Sequence, residues 1–315
     1  MISFVVRRLL HMIPVVLLAS LAIWAMLYAV PGGPIGMILG ENATAEQIAA
    51  TERQLGLDRP VVVQYLDWLG GAVTGDLGES IYSREPVAKL IGQRLPATVQ
   101  LGVMAMVIAV IIGIPIAIFS ALNPNSWIDR VLSGWSALAL GVPTFWLGIL
   151  LILLFAVELR WLPSASQHHL VWEDPLQALR HMILPALTLG VYVSGVLARF
   201  LRASLVSQLN ADYVRTARSK GLPEGQIVRE HIMRNALLPF ITIVGLMLAA
   251  FISGAVVTEA VFTYPGLGRL LIQAISTRDY PLIQGCIVVI LIIYITINLA
   301  VDVLYAYVDP RIEYD

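Results

Sequence analysis

The sequence predicts an all-α integral membrane protein with six transmembrane helices, and three observations carry that expectation. The 315-residue chain is 58% hydrophobic and only 13% charged. Its mean hydropathy of +0.81 is too apolar for a soluble domain. The apolar residues gather into six runs without Asp, Glu, Lys or Arg: Leu9–Val30, Thr98–Leu122, Val131–Val157, Met182–Ala198, Ala236–Thr258 and Leu282–Val301. Each comes close to or exceeds the roughly 20 residues that cross about 30 Å of hydrocarbon. In lipid every backbone polar group needs an internal partner, so such runs form helices.

The first run follows Arg7 and Arg8 as a secretion signal would. It is too long for a signal's apolar region of about 7–15 residues, and five more runs follow, so residues 1–31 are expected to remain as a span. Residues 32–96 form a long polar segment with short helices. Thr44-Ala45-Glu46-Gln47 reads as a capping box, Thr44 at N-cap and Gln47 at N3, with Gly56 closing that helix. Asp58-Arg59-Pro60 opens a second helical stretch, whose Tyr65 and Trp68 suit a membrane interface. Residues 97–309 hold the other five spans, interrupted by a polar loop at 205–236, and 310–315 form a tail. Met182–Ala198 is short, and Phe200 and Leu201 extend it if Arg199 turns its charged head to the interface.

Pro14, Pro115, Pro143 and Pro185 fall inside predicted spans, where each removes a helix hydrogen bond and favours a kink. Gly141 and Pro143 together are expected to break the third span. Broken membrane helices often line a path, because freed backbone groups need a polar cavity, although Gly and Pro also serve plain packing in lipid. Gly141, Pro143 and Pro185 are the candidate path-lining or helix-breaking residues.

Charge sets the expected orientation. With the N-terminus in the cytosol, the inner segments carry eleven Lys and Arg, including Arg7, Arg8, Arg130, Arg199 and Arg202, and the two short outer loops carry four, Arg160, Arg180, Arg269 and Arg278. The bias predicts both termini inside. A net charge of −1 gives no reason to expect nucleic acid as a partner. The single cysteine, Cys286, lies in an apolar run, so a disulfide framework is excluded.

Function classes fall away in turn. No acid or base sits in the middle of a span; Glu259 and Asp302 lie at span ends. This weighs against a proton-coupled carrier, which needs buried ionisable relays. No phosphate loop, zinc-binding H-E-x-x-H helix or G-x-S-x-G elbow is present, so no catalytic, cofactor or metal residues are assigned and the chain is not expected to be an enzyme. His168-His169 reads as a solvated pair, and His231 as a structural or contact residue.

One stretch concentrates what the rest avoids. Asp212–Pro239 crowds Arg215, Arg218, Lys220, Arg229 and Arg234 between two apolar runs. Tyr213, Ala217 and Gly221 are four apart and share a helix face. Gly221 suits the left-handed position ending a helix, and Pro223 the first position of a second one, with Glu224 near its positive end. The nearly bare face of Ala217 and Gly221 permits close approach by a protein, with the cations supplying register. A basic loop held against anionic lipid heads also accounts for the charge, but not for the small face beside a turn.

These residues carry a resemblance. Arg215-Thr216-Ala217-Arg218-Ser219-Lys220-Gly221 with Leu238-Pro239 downstream resembles the EAA loop of ATP-binding-cassette (ABC) importer permeases, with Arg215 and Thr216 replacing Glu and Ala. The stretches QLGLDRPVVVQYLDWL, GDLGESI, RDYP, FTYPGLGRLL and the N-terminal RRLL resemble the dipeptide/oligopeptide/nickel branch of that family. Gly33 stands where members often have Asp.

The resemblance implies a type I importer permease in a bacterial inner membrane, and with it a set of partners. These are a second, homologous permease subunit in a heterodimer, two ATP-binding subunits holding ATP and Mg, an outer solute-binding protein, and membrane lipid. Tyr213, Arg215, Thr216, Ala217, Arg218, Lys220, Gly221 and Pro223 would dock on an ATPase subunit. The motifs are shared by dipeptide, longer-peptide, glutathione and metal-chelate importers, so the solute is left open. The alternative reading is a secondary carrier or channel working without an ATPase.

Overall fold

The structure is a computed structural model that describes residues 2–29, 44, 46, 47, 49, 50, 53, 58–164 and 170–308. The expectations resting on Gly33, Gly56, His168, His169, Arg311 and the tail 310–315 lie outside the described residues. Within them the chain is helical, with an isolated bridge between Glu79 and Pro86.

Helix α1 (Ile2–Ala29) is followed by α2 (Val61–Thr74) and the long α3 (Val87–Leu122). Two shorter helices, α4 (Trp127–Gly141) and α5 (Thr144–Leu151), come next, and α5 continues through a π-helical turn, Ile152–Glu158. Then come α6 (Pro175–Leu209) and the short α7 (Asp212–Ser219). Glu224–Gln226 and a second π-helical turn, Ile227–Ile232, lead into α8 (Met233–Val261). Helices α9 (Leu267–Ser276) and α10 (Tyr280–Val308) close the described chain.

By length and composition α3, α6 and α10 can each cross a membrane, and the bent pairs α4–α5 and Glu224–Phe251 bring the number to five. Helix α1 is 28 residues long around an apolar stretch Leu10–Ala25. At 1.5 Å per residue that is about 42 Å, so its length also suffices.

Helices overrun the uncharged stretches that announced them. The fourth span, expected over Met182–Ala198, is the middle of the 35-residue α6. A helix need not end where the hydrocarbon does, because Arg180 and Arg199 can sit at the interface while the backbone ladder continues. Local signals set the starts: Asp174 caps α6 by accepting from the Gln177 amide at 3.1 Å, with Pro175 at the first position. Ser126 caps α4 through the Asp129 amide, also at 3.1 Å. The Thr44–Gln47 capping box forms as expected, with reciprocal bonds of 3.0 and 3.3 Å. The loop after the fifth span, by contrast, holds a helix, α9, that the sequence reading did not include.

Helices α3 and α6 make the most extensive packing in the bundle. They approach closely because Gly190 has no side chain: a Cβ there would lie 2.7 Å from Ile108 and 3.0 Å from the Ala105 carbonyl oxygen. Lipid gives apolar helices no hydrophobic reason to associate, so such small-residue contacts supply much of the attraction. Three buried clusters follow: one around α3, α6 and α7, a second around α3, α6, Phe251 and Phe262, and a third joining Val87, Ile91, α9 and Cys286. Alternating helix direction puts α7, the C-terminal ends of α3 and α6 and the start of α8 at one end of the bundle, here called the loop end. The opposite, cap end carries residues 75–86 and α9.

Candidate functional site

At the loop end, α7 stops as its sequence predicts. Gly221 adopts φ +79°. Its amide bonds the Arg218 carbonyl at 2.9 Å and the Leu222 amide bonds the Ala217 carbonyl at 3.3 Å. That is the paired bonding of a Schellman turn, completed by contact between Leu222 and the cluster holding Ala217. Pro223 is displaced by one position: it is the N-cap of the next helix, with φ −68° and ψ 142°, and Glu224 is the first helical residue.

The expected docking face needs correction. Ala217 is 7% exposed and Val214 fully buried, both within the chain's own core beside Ile227 and Ile232. Ala217, with Val214, therefore turns inward and seats the helix on the bundle, while Gly221 stays outside at the turn. Tyr213, Arg215, Thr216, Arg218, Lys220, Gly221 and Pro223 remain exposed. Tyr213 donates its hydroxyl to Gln208 at 2.7 Å. Arg218 grips Glu224 across the turn at 2.6 and 3.2 Å, and this bonding holds its guanidinium above its usual pKa. The side chains of Arg215 and Lys220 have no partner among the described residues. The outward surface is thus a cationic rim on a helix anchored from below.

In mid-bundle the third span breaks where Gly141 and Pro143 predict it. Helices α4 and α5 meet at 100°. Beside the break lies a cleft of about 510 Å³, walled by Gly141, Val142, Pro143 and Thr144 and, across from them, by Tyr192 and Phe251. Pro185 does not share this role: it is buried and α6 runs unbroken through it. Helices α1 and α3 likewise continue through Pro14 and Pro115. The second bend, 45°, falls at Pro239.

Three carboxylates to which the sequence assigns no structural role, Glu259 at a span end among them, hold the frame. Asp129, at the start of α4, receives a bidentate pair from Arg202 of α6 at 2.7 and 2.9 Å and the Ser120 hydroxyl of α3. At the cap end the buried Glu259 accepts from the Thr98 hydroxyl at 2.7 Å and the Arg269 amide at 3.0 Å, while Thr98 accepts from the Leu267 amide. One carboxylate thus caps the start of α9 and ties it to α3. Asp279 accepts from Ser80, from the Ile81 and Tyr82 amides at 3.2 and 3.3 Å, and from the Leu282 amide. It fastens residues 80–82 to the start of α10. Nothing in the sequence paired these partners, which lie up to 199 positions apart. The one available signal was a charged residue at the edge of an apolar run. Among the described residues no group of three or more His, Cys, Asp or Glu could hold a metal ion.

Residues 113–314 match the family described as the inner membrane component of binding-protein-dependent transport systems, and residues 1–102 match the N-terminal region of such components. The chain belongs to this family. It is a multi-pass inner-membrane permease and not an enzyme. Its relatives include the glutathione transport system permease protein GsiC of Escherichia coli O6:H1, 43% identical over 314 residues and matched over 100% of both chains. The dipeptide transport system permease protein DppB of Alkalihalophilus pseudofirmus is 37% identical over 337 aligned residues, again over 100% of both. Among solved structures, a chain of the MetNI methionine ABC transporter in an inward-facing conformation aligns with TM-score 0.58 and 18% identity. That alignment covers 70% of the permease and 96% of that chain. A chain of an amino acid ABC transporter crystallised with histidines gives 0.52 at 18% identity, over 71% and 94%. At these identities the likeness is one of fold: the type I importer permease.

Proposed function

We propose that this permease is one half of a heterodimeric pathway for short peptides, with glutathione and dipeptides as the solute class. ATP is bound and hydrolysed with Mg on two partner subunits, and an outer binding protein delivers the solute. The loop end faces the cytosol, so both termini are inside, in keeping with the Lys and Arg bias. Full-length similarity to glutathione and dipeptide permeases supports the solute class.

The observation that carries the coupling role is the two-sidedness of α7. Its outer face presents Tyr213, Arg215 and Lys220, while Val214 and Ala217 are set into a core built from α3, α6 and the π-helical turn before α8. Displacement of the outer face by an ATPase subunit is carried into packed helices, because close-packed interiors transmit strain. ATP binding then biases the bundle between its two accesses by no more than the difference in binding energy between them.

Purification of the permease expressed with the proposed ATPase and permease partners tests this reading. ATPase subunits should co-purify, and uptake of glutathione or a dipeptide into proteoliposomes should require internal Mg-ATP. Transport by this chain alone, with no ATPase present, establishes the secondary carrier or channel instead.

A further inference from the structure

We infer that the break between α4 and α5 is a solute-binding site that takes the amino end of a peptide. The inference rests on the reading of the chain as a peptide permease and deepens it. The carbonyl oxygens of Leu140, Gly141 and Val142, at the end of α4, accept no hydrogen bond from any described residue. Pro143 has no amide hydrogen to offer, and the 100° turn carries the Thr144 and Phe145 amides out of register. The hydroxyls of Thr144 and Tyr192 are also unbonded among the described residues, and Tyr192 is 39% exposed. All five residues line the same cleft, which has no charged side chain in its wall. Opposite them stand apolar groups, Met247 and Phe251 among them.

Irregular backbone at this depth persists only where protein or a polar cavity receives it. The α4 side of the break offers acceptors, set beside the donors of the two hydroxyls and of the Thr144 and Phe145 amides. The end of a helix carries the equivalent of roughly half a negative charge, spread over its free carbonyls. A primary ammonium, with three hydrogens and one positive charge, complements three such oxygens. Amide hydrogens from the following peptide bonds suit the two hydroxyls, and the apolar wall accommodates a side chain of either polarity class only loosely. A neutral wall also limits how tightly a zwitterion is held, which permits release. The class of ligand is a short peptide with a free α-amino group.

The test uses the whole assembled transporter in lipid nanodiscs, with accessible cysteines removed from the partner subunits. Gly141→Cys places a single reactive thiol at the site, because the chain's own Cys286 is buried. A Cβ at position 141 meets nothing within 4 Å, so the fold accommodates the change. Maleimide labelling is timed with alanyl-alanine or S-methylglutathione, whichever the assembly transports, and with the N-acetylated form of the same peptide. The free-amino peptide should protect at about tenfold lower concentration, the factor that corresponds to one charge-assisted bond. Equal protection by the N-acetylated form overturns the carbonyl assignment, and no protection by a transported peptide overturns the site. Gly141→Leu separates this inference from the one beneath it. It should retain the ATPase subunits and lose uptake. Retention with full uptake overturns the site and leaves the permease reading standing, whereas failure of the unaltered chain to hold any ATPase subunit strikes the permease reading itself.

Discussion

Val214→Ala should uncouple ATP hydrolysis from transport without removing the ATPase subunits. Val214 has no exposed surface and sits on the inner face of α7. The substitution deletes two buried carbons at about 0.8 kcal/mol each, and the cavity left behind raises the cost to roughly 1.6–3 kcal/mol. The loss falls on the attachment of one short helix, which is otherwise held by Ala217, Leu222 and the ends of its own turn. The population with α7 detached from the bundle should rise about 15- to 150-fold. The outer face, Tyr213, Arg215, Arg218 and Lys220, is untouched. ATPase subunits should therefore still bind, and solute moved per ATP hydrolysed should fall. The assay is paired measurement of phosphate release and labelled peptide uptake in proteoliposomes. An unchanged ratio, with the variant assembled normally, refutes the argument that Val214 carries motion from α7 into the spans.

Asp129→Asn should lower the thermal midpoint of the purified assembly, because it leaves the Arg202 guanidinium facing neutral partners. Breaking a buried pair costs about 3–5 kcal/mol, and solvent access to Arg202, 33% exposed, reduces this to roughly 1–3 kcal/mol. A midpoint within error of the parent contradicts that role. Asp279→Ala should free residues 80–82 at the cap end, since the Ile81, Tyr82 and Leu282 amides lose their acceptor at about 1–3 kcal/mol each. Faster protease cleavage within 76–86, with α10 intact, is the expected result, and unchanged cleavage refutes it. Arg218→Gln removes only an exposed pair with Glu224, so its effect on ATPase-subunit affinity should be small and should shrink as salt is raised. A large, salt-independent loss places Arg218 inside a desolvated contact instead.

What the sequence made legible was local. Gly221 announced the turn because few other residues adopt its positive φ. Gly141 and Pro143 announced the break because one lacks a side chain and the other an amide hydrogen. Thr44 and Gln47 announced a cap by their spacing. Sequence was silent where the outcome depends on what packs against an element. Periodicity put Ala217 and Gly221 on one face, but period alone cannot say whether that face meets a partner or the chain's own core. Val214, three residues before Ala217, was the clue: an apolar residue beside a small one on an otherwise polar helix marks an anchoring stripe. Pro185 failed as a helix breaker because neighbours packed around α6 keep its course across a missing hydrogen bond. Asp129, Glu259 and Asp279 were hidden for the opposite reason. Their partners are distant in sequence and drawn from residue types found everywhere in it.

Coupling as proposed requires that the ATPase subunit engage the outer face of α7. Site-specific crosslinking from Arg215→Cys probes that engagement, because position 215 is exposed while the native Cys286 is buried. A short thiol-to-amine crosslinker applied to the assembled, active transporter should join this chain to an ATPase subunit in high yield, and the same reagent on Ala217→Cys should not, because that position faces the core. An active transporter in which Arg215→Cys crosslinks to no ATPase subunit would contradict the claim.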